Sequence, residues 1–501
     1  MSFNQKIVLF LLLIFVGACF AQKVDLTTVD LGRHIKNGEE VFKNPEVLRT
    51  NFYSYTKPTF KTINHHWLFG VFSWIVWSLG GFKLISLLFV LISVLTFLIF
   101  FLSAKKVSSF SNVFLLSIWF LPLILFRKEI RPEAISYLLT AIFIFALLKF
   151  SQKEITFKKL CFILIPLQLL WVNTHIFFAL GLFLVGVFIV DSVFNKKFSS
   201  GVVRNLLFLL TVLILVSFIN PAGITGFFEP LNIFKEYGYM VAENQSIFFM
   251  QKRFFNVLYL HFELSFILLA VGFLIWFFKE RTNFKESIFY FLLFLFFGIL
   301  GFKLNRFMAI GSLIFLFSGA YIAQKITVPK FVTSFLVSIF IMFCFMSAEF
   351  LPFPGKDFGF GVFPESEKSA KFFEDVGIKG PVFNNYDIGS YLIFYLFPKE
   401  KVFVDNRPEA YPLNFFKDVY VPMQEKEEVW DKVNDQYKFN VIYFYRHDMT
   451  PWAQPFLIKR VEDPKWVTVY VDDLTIIMVR NIEDNKEVIA RYALPKSIFG
   501  R

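Results

Sequence analysis

The sequence predicts a polytopic α-helical membrane protein with a small soluble α/β domain at its C-terminal end. The chain has 501 residues, of which 56% are hydrophobic and 20% aromatic, and soluble globular proteins are rarely so apolar. The apolar residues fall into blocks of about 15 to 22 residues, close to the length with which a helix crosses a bilayer. From about residue 351 the pattern changes to alternating strand-like and helical segments, which predicts a folded domain outside the membrane.

About 11 transmembrane helices are predicted from these blocks. They are residues 7–21, 82–103, 109–126, 134–149, 160–175, 176–190, 205–219, 264–278, 287–302, 307–322 and 331–348. The first block is short and is followed by VGACFAQ, which resembles a signal-peptidase site; we expect a retained helix, with a cleaved signal as the alternative. The aromatic block 67–79 is expected to lie at the membrane interface or to re-enter, because a full crossing would invert its neighbours.

The distribution of lysine and arginine predicts which side each loop faces. Cytoplasmic loops carry an excess of positive charge. Four loops are rich in Lys and Arg, namely 149–159, 195–204, 279–285 and 324–330. Placing them in the cytoplasm puts the N-terminus there too and leaves 22–66, 220–263 and the C-terminal domain outside. We therefore predict an integral protein of the inner (plasma) membrane whose polar chemistry collects on the outer face.

The C-terminal part is predicted to be a separate domain, with the boundary between 1–350 and 351–501. Its first residues, LPFPGKDFGFGVFPE, are rich in Pro and Gly, as linkers are. Short β-branched and aromatic runs then predict strands. These runs are GPVFN, KVFVD, NVIYFY, WVTVYV and TIIMVR.

Charge and cysteine content exclude some other functions. The net charge is +12, but most Lys and Arg lie in short loops between predicted spans, so we expect no nucleic-acid partner. The three cysteines lie in apolar segments and form no CxxC pair, so they predict packing residues and no metal site.

A charged stretch, TTVDLGRHIKNGE, follows the first apolar block. Asp30 and His34 are four residues apart and share a face if the stretch is helical, and Gly38 suits a helix end. An amphipathic surface helix is one interpretation. An acid at the membrane boundary that meets a lipid head group is the other.

The following segments are in an order that resembles one family. The stretch D-x-x-x-H-x-x-x-G, then FYSYT, then HHWLFG ending in Gly-Gly resembles the first outer loop of bacterial GT-C-type integral-membrane glycosyltransferases, distant relatives of protein O-mannosyltransferases and aminoarabinose transferases. IRPEAIS, WVNTHIFFALG, NPAG, ENQS, VFNNYDIGSYLIF and KVFVDNRPEAY continue the resemblance. The chain departs from it at Gly32 and Arg33, where two Trp are usual, at Asn51, where Asp is usual, and at His66, where Glu is usual.

The resemblance implies a GT-C-like fold and transfer of a sugar from a polyprenyl-phosphate donor to a glycan, lipid or protein acceptor of the cell envelope. Asp30 is the candidate base for an inverting displacement. Arg131 and Arg306, with Lys303 nearby, are candidates for the lipid phosphate, because a guanidinium group binds phosphate through two donors. Further candidates for substrate contact are His34, His65, His66, His175 and Glu243.

Several alternatives stay open at this point. A divalent metal is conceivable as a cofactor, although adjacent histidines rarely chelate one ion without a third ligand and residue 66 lacks the usual acid. A transporter or flippase of a lipid-linked precursor would have paired repeats and charges at mid-membrane, and neither is clear in the sequence. A non-catalytic scaffold of envelope assembly would have lost the acid, but Asp30 is present.

Overall fold

A computed structural model of the chain describes residues 1–195, 198–281, 283–326, 342 and 357–499, and for residues 233 and 234 it describes the backbone alone. The described chain forms two compact units. The first consists of residues 1–22, 86–233 and 240–360, and the second of residues 23–85, 234–239 and 361–501.

The prediction of a polytopic membrane protein is confirmed at the level of helix length and composition. Among the described residues, ten helices are long and apolar enough to cross a membrane. They are Phe3–Phe20, Trp67–Lys105, Phe110–Arg127, Glu133–Ser151, Phe157–Thr174, Ile176–Phe194, Ser200–Ser217, Val257–Lys279, Phe284–Lys303 and Asn305–Lys325. The predicted span 331–348 lies outside the described residues except for residue 342.

The core of the first unit is built around the helix Asn305–Lys325. Of its most apolar window, 89% is buried by the helices around it. The preceding helix, Phe284–Lys303, comes close to the helix Val257–Lys279 through glycine: a Cβ atom at Gly301 would lie 2.4 Å from the ring of Phe262. Small residues allow such close packing between membrane helices.

The helix Trp67–Lys105 is interrupted at the Gly-Gly pair. Gly80 (φ −157°, ψ 20°) and Gly81 (φ 62°, ψ −161°) leave the helical conformation. A positive φ is easily adopted only by glycine, so Gly81 allows the chain to change direction there. The break separates 67–79 from 82–105, as the sequence predicted, and the interfacial position of 67–79 stays a prediction.

Loops of the first unit alternate in character along the chain. If each candidate helix crosses once, loops 128–132, 218–256, residue 175 and residue 304 share one side of the membrane, and loops 152–156, 195–199 and 280–283 share the other. Together with the helix ends beside it, the second group includes the Lys- and Arg-rich stretches 149–159, 195–204 and 279–285. The positive-inside rule therefore predicts that this group is cytoplasmic and that the candidate residues of the first unit lie on the outer side.

The second unit combines the C-terminal domain with the first loop, 23–66, which we had assigned to the membrane domain. Hydrogen bonds between their backbones explain this difference. Tyr55 N donates to Val402 O at 3.1 Å, and Val402 N donates to Tyr53 O at 3.2 Å. The prediction that KVFVD forms a strand of the sheet is wrong, since this extended segment pairs with the first loop instead.

The sheet of this unit has four strands, β1 Val382–Asn384, β2 Val441–Tyr445, β3 Trp466–Val471 and β4 Thr475–Arg480. Their order is β1-β2-β4-β3, with β1 parallel to β2 and the other pairs antiparallel. Helices of this unit include Leu31–Glu40, Lys368–Asp375, Gly389–Leu396, Glu427–Tyr437, Ala453–Glu462 and Lys486–Tyr492. Its core is mainly aromatic, with Phe383, Trp430 and Phe456 in mutual ring contact.

Candidate functional site

The first unit contains a buried set of charges, the arginine–glutamate cluster, formed by Arg127, Arg131, Glu133, Glu243 and Arg306. Every member lies at or near a helix end or in a short loop between spans. Glu133, the first residue of its helix, has a side chain that is only 5% exposed. It accepts hydrogen bonds from Arg127 Nη2 at 3.0 Å and from Arg306 Nη2 at 2.6 Å.

Glu243 is the second acid of the cluster and lies in the short turn Ala242–Asn244. It accepts hydrogen bonds from Arg127 Nη1 at 2.7 Å and Arg131 Nη1 at 3.0 Å, and Arg306 Nη1 lies 3.8 Å away. Burial alone would raise the pKa of Glu243, but the guanidinium groups around it, of which Arg127 contributes most, outweigh burial and lower the pKa to about 2.

Hydrogen bonds from the start of the last described span hold this turn. Asn305 Nδ2 donates to Ala242 O at 2.7 Å, and Asn305 N donates to Gln245 O at 3.0 Å. Arg306 Nη1 also donates to Asn244 Oδ1 at 3.1 Å. The loop that carries Glu243 is thus fixed to the turn that carries Arg306.

His175 extends the cluster into the helices. It ends the helix Phe157–Thr174 in an extended conformation and is fully buried. Its Nδ1 lies 2.7 Å from Ser136 Oγ, which also accepts a hydrogen bond from Trp171 Nε1, and its Nε2 lies 4.0 Å from Glu133 Oε2.

A narrow cavity of about 20 Å³ that is partly open to solvent adjoins this cluster. Its polar lining includes Arg127, Glu129, Arg131 and Glu133. Its apolar lining comes from five candidate spans, through residues Phe20, Phe89, Phe97, Ile124, Ala134 and Leu313. Its volume holds about one water molecule, and its lining, apolar with a few polar groups, is of the kind that ligand pockets have.

Tyr137 also lines the cavity and is 8% exposed. Among the described residues its hydroxyl has no hydrogen-bond partner. A buried hydroxyl without a partner costs free energy, so a ligand or water that accepts its proton would be stabilised there.

Sequence reasoning found Arg131, His175, Glu243 and Arg306, and the structure brings these four together. Lys303 is exposed on the last turn of its helix. Arg127 and Glu133 were missed, although both are charged residues at the ends of apolar segments, and that position is a signal of function.

The second unit contains the Asp30 site, formed by Asp30, Arg33 and Asn406. Asp30 directly precedes the helix Leu31–Glu40, and its side chain is 24% exposed. Asn406 Nδ2 donates a hydrogen bond to Asp30 Oδ1, and Arg33 Nη2 lies 3.7 Å from Asp30 Oδ2. Arg33 Nε donates to Asn406 Oδ1 at 3.4 Å, which closes a ring of three side chains.

The candidate histidines of this unit form a second group. His34 is 1% exposed, and its ring packs edge-on against His66, at 5.4 Å between centroids, and against Phe69, at 5.1 Å. His65 packs on His66 at 4.1 Å. Within the described ranges, no group of three or more His, Cys, Asp or Glu has the geometry to hold a metal ion.

A further acid, Asp387, was missed in the sequence. It lies just before the helix Gly389–Leu396 and is half-buried. Burial, followed by the negative charges of Asp448 and Asp30, raises the pKa of Asp387 to about 7.

Comparison with known proteins adds no family assignment. No protein-family profile matches this sequence, and no curated protein matches it.

Proposed function

We propose that this protein is a glycosyltransferase that moves a sugar from a polyprenyl-phosphate donor to an envelope acceptor on the outer face of the membrane. The observation that carries the proposal is the cavity among the spans, in which Arg127 and Arg131 meet an apolar wall. Such a lining suits an amphiphile with an anionic head and a hydrocarbon chain.

The guanidinium groups of the arginine–glutamate cluster suit an anionic head group. Three guanidinium groups face the two carboxylates of the cluster, and a third carboxylate, that of Glu129, lies 4.0 Å from Arg131, so these charges balance. Each guanidinium group has five N–H donors in a planar fork, which matches the oxygens of a phosphate. The hydroxyl of Tyr137 supplies a neutral donor in the same cavity.

Asp30 supplies the base in this proposal. Its carboxylate takes the proton from the acceptor hydroxyl while that oxygen bonds to the anomeric carbon of the donor sugar. The bond between the anomeric carbon and the phosphate oxygen breaks, and the electron pair leaves with the polyprenyl phosphate. The sugar is transferred with inversion.

The test is the turnover of polyprenyl-phosphate-linked hexoses and pentoses by purified protein, with membrane-extracted glycolipid as acceptor. Asp30→Asn should lower turnover about 10²–10⁴-fold, the range typical of a lost general base. The matched control is Glu46→Gln, which neutralises an exposed acid of the same loop and should leave turnover unchanged. Wild-type turnover in the Asp30 variant would reject Asp30 as the base.

A flippase for a lipid-linked precursor is the second candidate, because binding of a lipid phosphate in the cavity would need no role for Asp30. It predicts that Asp30→Asn keeps full activity and that proteoliposomes translocate a fluorescent polyprenyl phosphate. A non-catalytic scaffold predicts neither turnover nor translocation. The glycosyltransferase proposal predicts turnover that depends on Asp30.

A further inference from the structure

The ring of side chains around Asp30 includes one residue from the C-terminal domain, Asn406, which is 376 residues later in the chain. We propose that Arg33 and Asn406 are positioning residues that orient the Asp30 carboxylate, so that the C-terminal domain forms part of the catalytic site. This inference rests on the proposed function, in which Asp30 is the base.

The helix that begins after Asp30 is packed closely against the C-terminal domain. A Cβ atom at Gly32 would lie 2.9 Å from Phe394 Cβ and 3.0 Å from Ser390 O, so only glycine permits this approach. Arg33 N donates a hydrogen bond to Ser390 Oγ at 2.9 Å. The backbone on both sides of Arg33 is thereby fixed relative to the helix Gly389–Leu396.

The loop that carries Asn406 is held from both sides. Arg407 donates to Asp405 from Nε at 2.8 Å and from Nη2 at 2.7 Å. Arg407 Nη2 also donates to Asn51 Oδ1 at 3.0 Å. A Cβ atom at Gly389 would lie 2.5 Å from Asp405 Cα, so the loop lies directly against the start of that helix.

Because Asp405 and Arg407 on either side of Asn406 are held in place, the side-chain amide of Asn406 has a fixed position. The amide donates to Asp30 Oδ1 and accepts from Arg33 Nε, so both of its polar ends are used. Arg33 is 5% exposed on its side chain, and its rotamer is confined by burial. The terminal torsion of an aspartate is soft, and these two contacts restrain the plane of the carboxylate.

Loss of that orientation should reduce the catalytic step and leave donor binding intact. A displacement of about 1 Å in a reacting group costs up to about 10²-fold in rate. We therefore expect Asn406→Ala to lower kcat about 10- to 100-fold, with the donor KM changed less than about twofold. Arg33→Lys keeps the positive charge and loses the Nε donor. This variant should also have a lower kcat and a nearly unchanged donor KM.

The deciding experiment is a double-mutant cycle with purified full-length protein and the same polyprenyl-phosphate-linked hexoses and pentoses. If Asn406 acts through Asp30, Asn406→Ala should not reduce further the residual turnover of Asp30→Asn. Asn440→Ala removes a different amide of the same domain, one that bonds Lys379 O, and should leave kcat unchanged. Thermal unfolding of each variant serves as the measure of folding.

The outcomes separate this inference from the proposed function. If Asp30→Asn abolishes turnover and both Asn406→Ala and Arg33→Lys keep the wild-type kcat, the positioning role is wrong and the proposed base stands. If Asn406→Ala lowers turnover equally with and without the Asp30 carboxylate, the role is structural and the inference fails. If Asp30→Asn keeps full turnover, the proposed function and the inference both fail.

Discussion

Replacing Glu243 by glutamine tests the arginine–glutamate cluster through its effect on stability. The pKa of Glu243 is lowered from an ordinary value of about 4.5 to about 2 by the surrounding guanidinium groups. One pKa unit corresponds to about 1.4 kcal/mol, so the ionised side chain contributes about 3 kcal/mol to folding at pH 7. The side chain is 20% exposed, so solvent screens this interaction little.

The contribution of Glu243 to folding stability decreases as the pH falls. Because the pKa is lower in the folded state, the unfolded chain binds a proton first as the pH falls, and the stabilisation is lost between about pH 5 and pH 2. At pH 3 about half of it should remain. Glu243→Gln should therefore destabilise the protein by about 3 kcal/mol at pH 7 and by about half of that at pH 3.

Equilibrium unfolding in mixed detergent micelles measures both values. Glu154→Gln is the control, because Glu154 is 43% exposed and pairs with Lys106 at the surface, where a salt bridge contributes about 0–1 kcal/mol. A loss below about 1 kcal/mol in Glu243→Gln at pH 7, or an equal loss at both pH values, would refute the reasoning.

Three further predictions follow from the same contacts. Arg131→Gln should raise the KM for the donor about 10- to 100-fold, because it removes a charged donor to the phosphate, whereas Arg204→Gln, at an exposed arginine, should not. Tyr137→Phe should raise the donor KM about fivefold without a change in folding, since the hydroxyl has no partner in the described structure. Gly32→Ala should lower the unfolding free energy by about 1–3 kcal/mol, because its Cβ atom would overlap Phe394. An unchanged donor KM in Arg131→Gln or Tyr137→Phe, or wild-type stability in Gly32→Ala, would contradict the corresponding prediction.

The sequence predicts the membrane helices well because their signal is local. A block of apolar residues of the right length is sufficient, and the helix Glu133–Ser151 matches its predicted span 134–149 within two residues at each end. The hairpin of β3 and β4 was equally visible, since two β-branched runs are separated by three residues.

The segment KVFVD shows where a local signal fails. Its composition is that of a strand, but the backbone hydrogen bonds of Val402 go to Tyr53 and Tyr55 of the first loop. Strand propensity does not specify the partner, so the position of this segment depends on contacts that are distant in sequence.

The arginine–glutamate cluster and the Asp30 site were predictable only in part, because both depend on contacts between residues that are distant in sequence. Arg131 and Arg306 are recognisable as charges at helix ends, but their counterion Glu133 is visible only when separate helices are brought together. Asp30 was found from its motif, while its partner Asn406 lies in another domain of the sequence. The glycosyltransferases that the sequence resembles usually have Trp at the position of Arg33. The hydrogen bond from Arg33 to Asn406 gives a structural reason for the arginine.

The central claim is that the cavity of the first unit binds a polyprenyl phosphate by its head group. A polyprenyl phosphate with a photoreactive group on its first isoprene unit tests this directly, by cross-linking to purified protein and mapping the labelled peptides. We predict labelling at Phe20, Phe89, Phe97 or Leu313 that saturates with lipid and is lost in Arg131→Gln. Labelling confined to other helices, or unchanged in that variant, would contradict the claim.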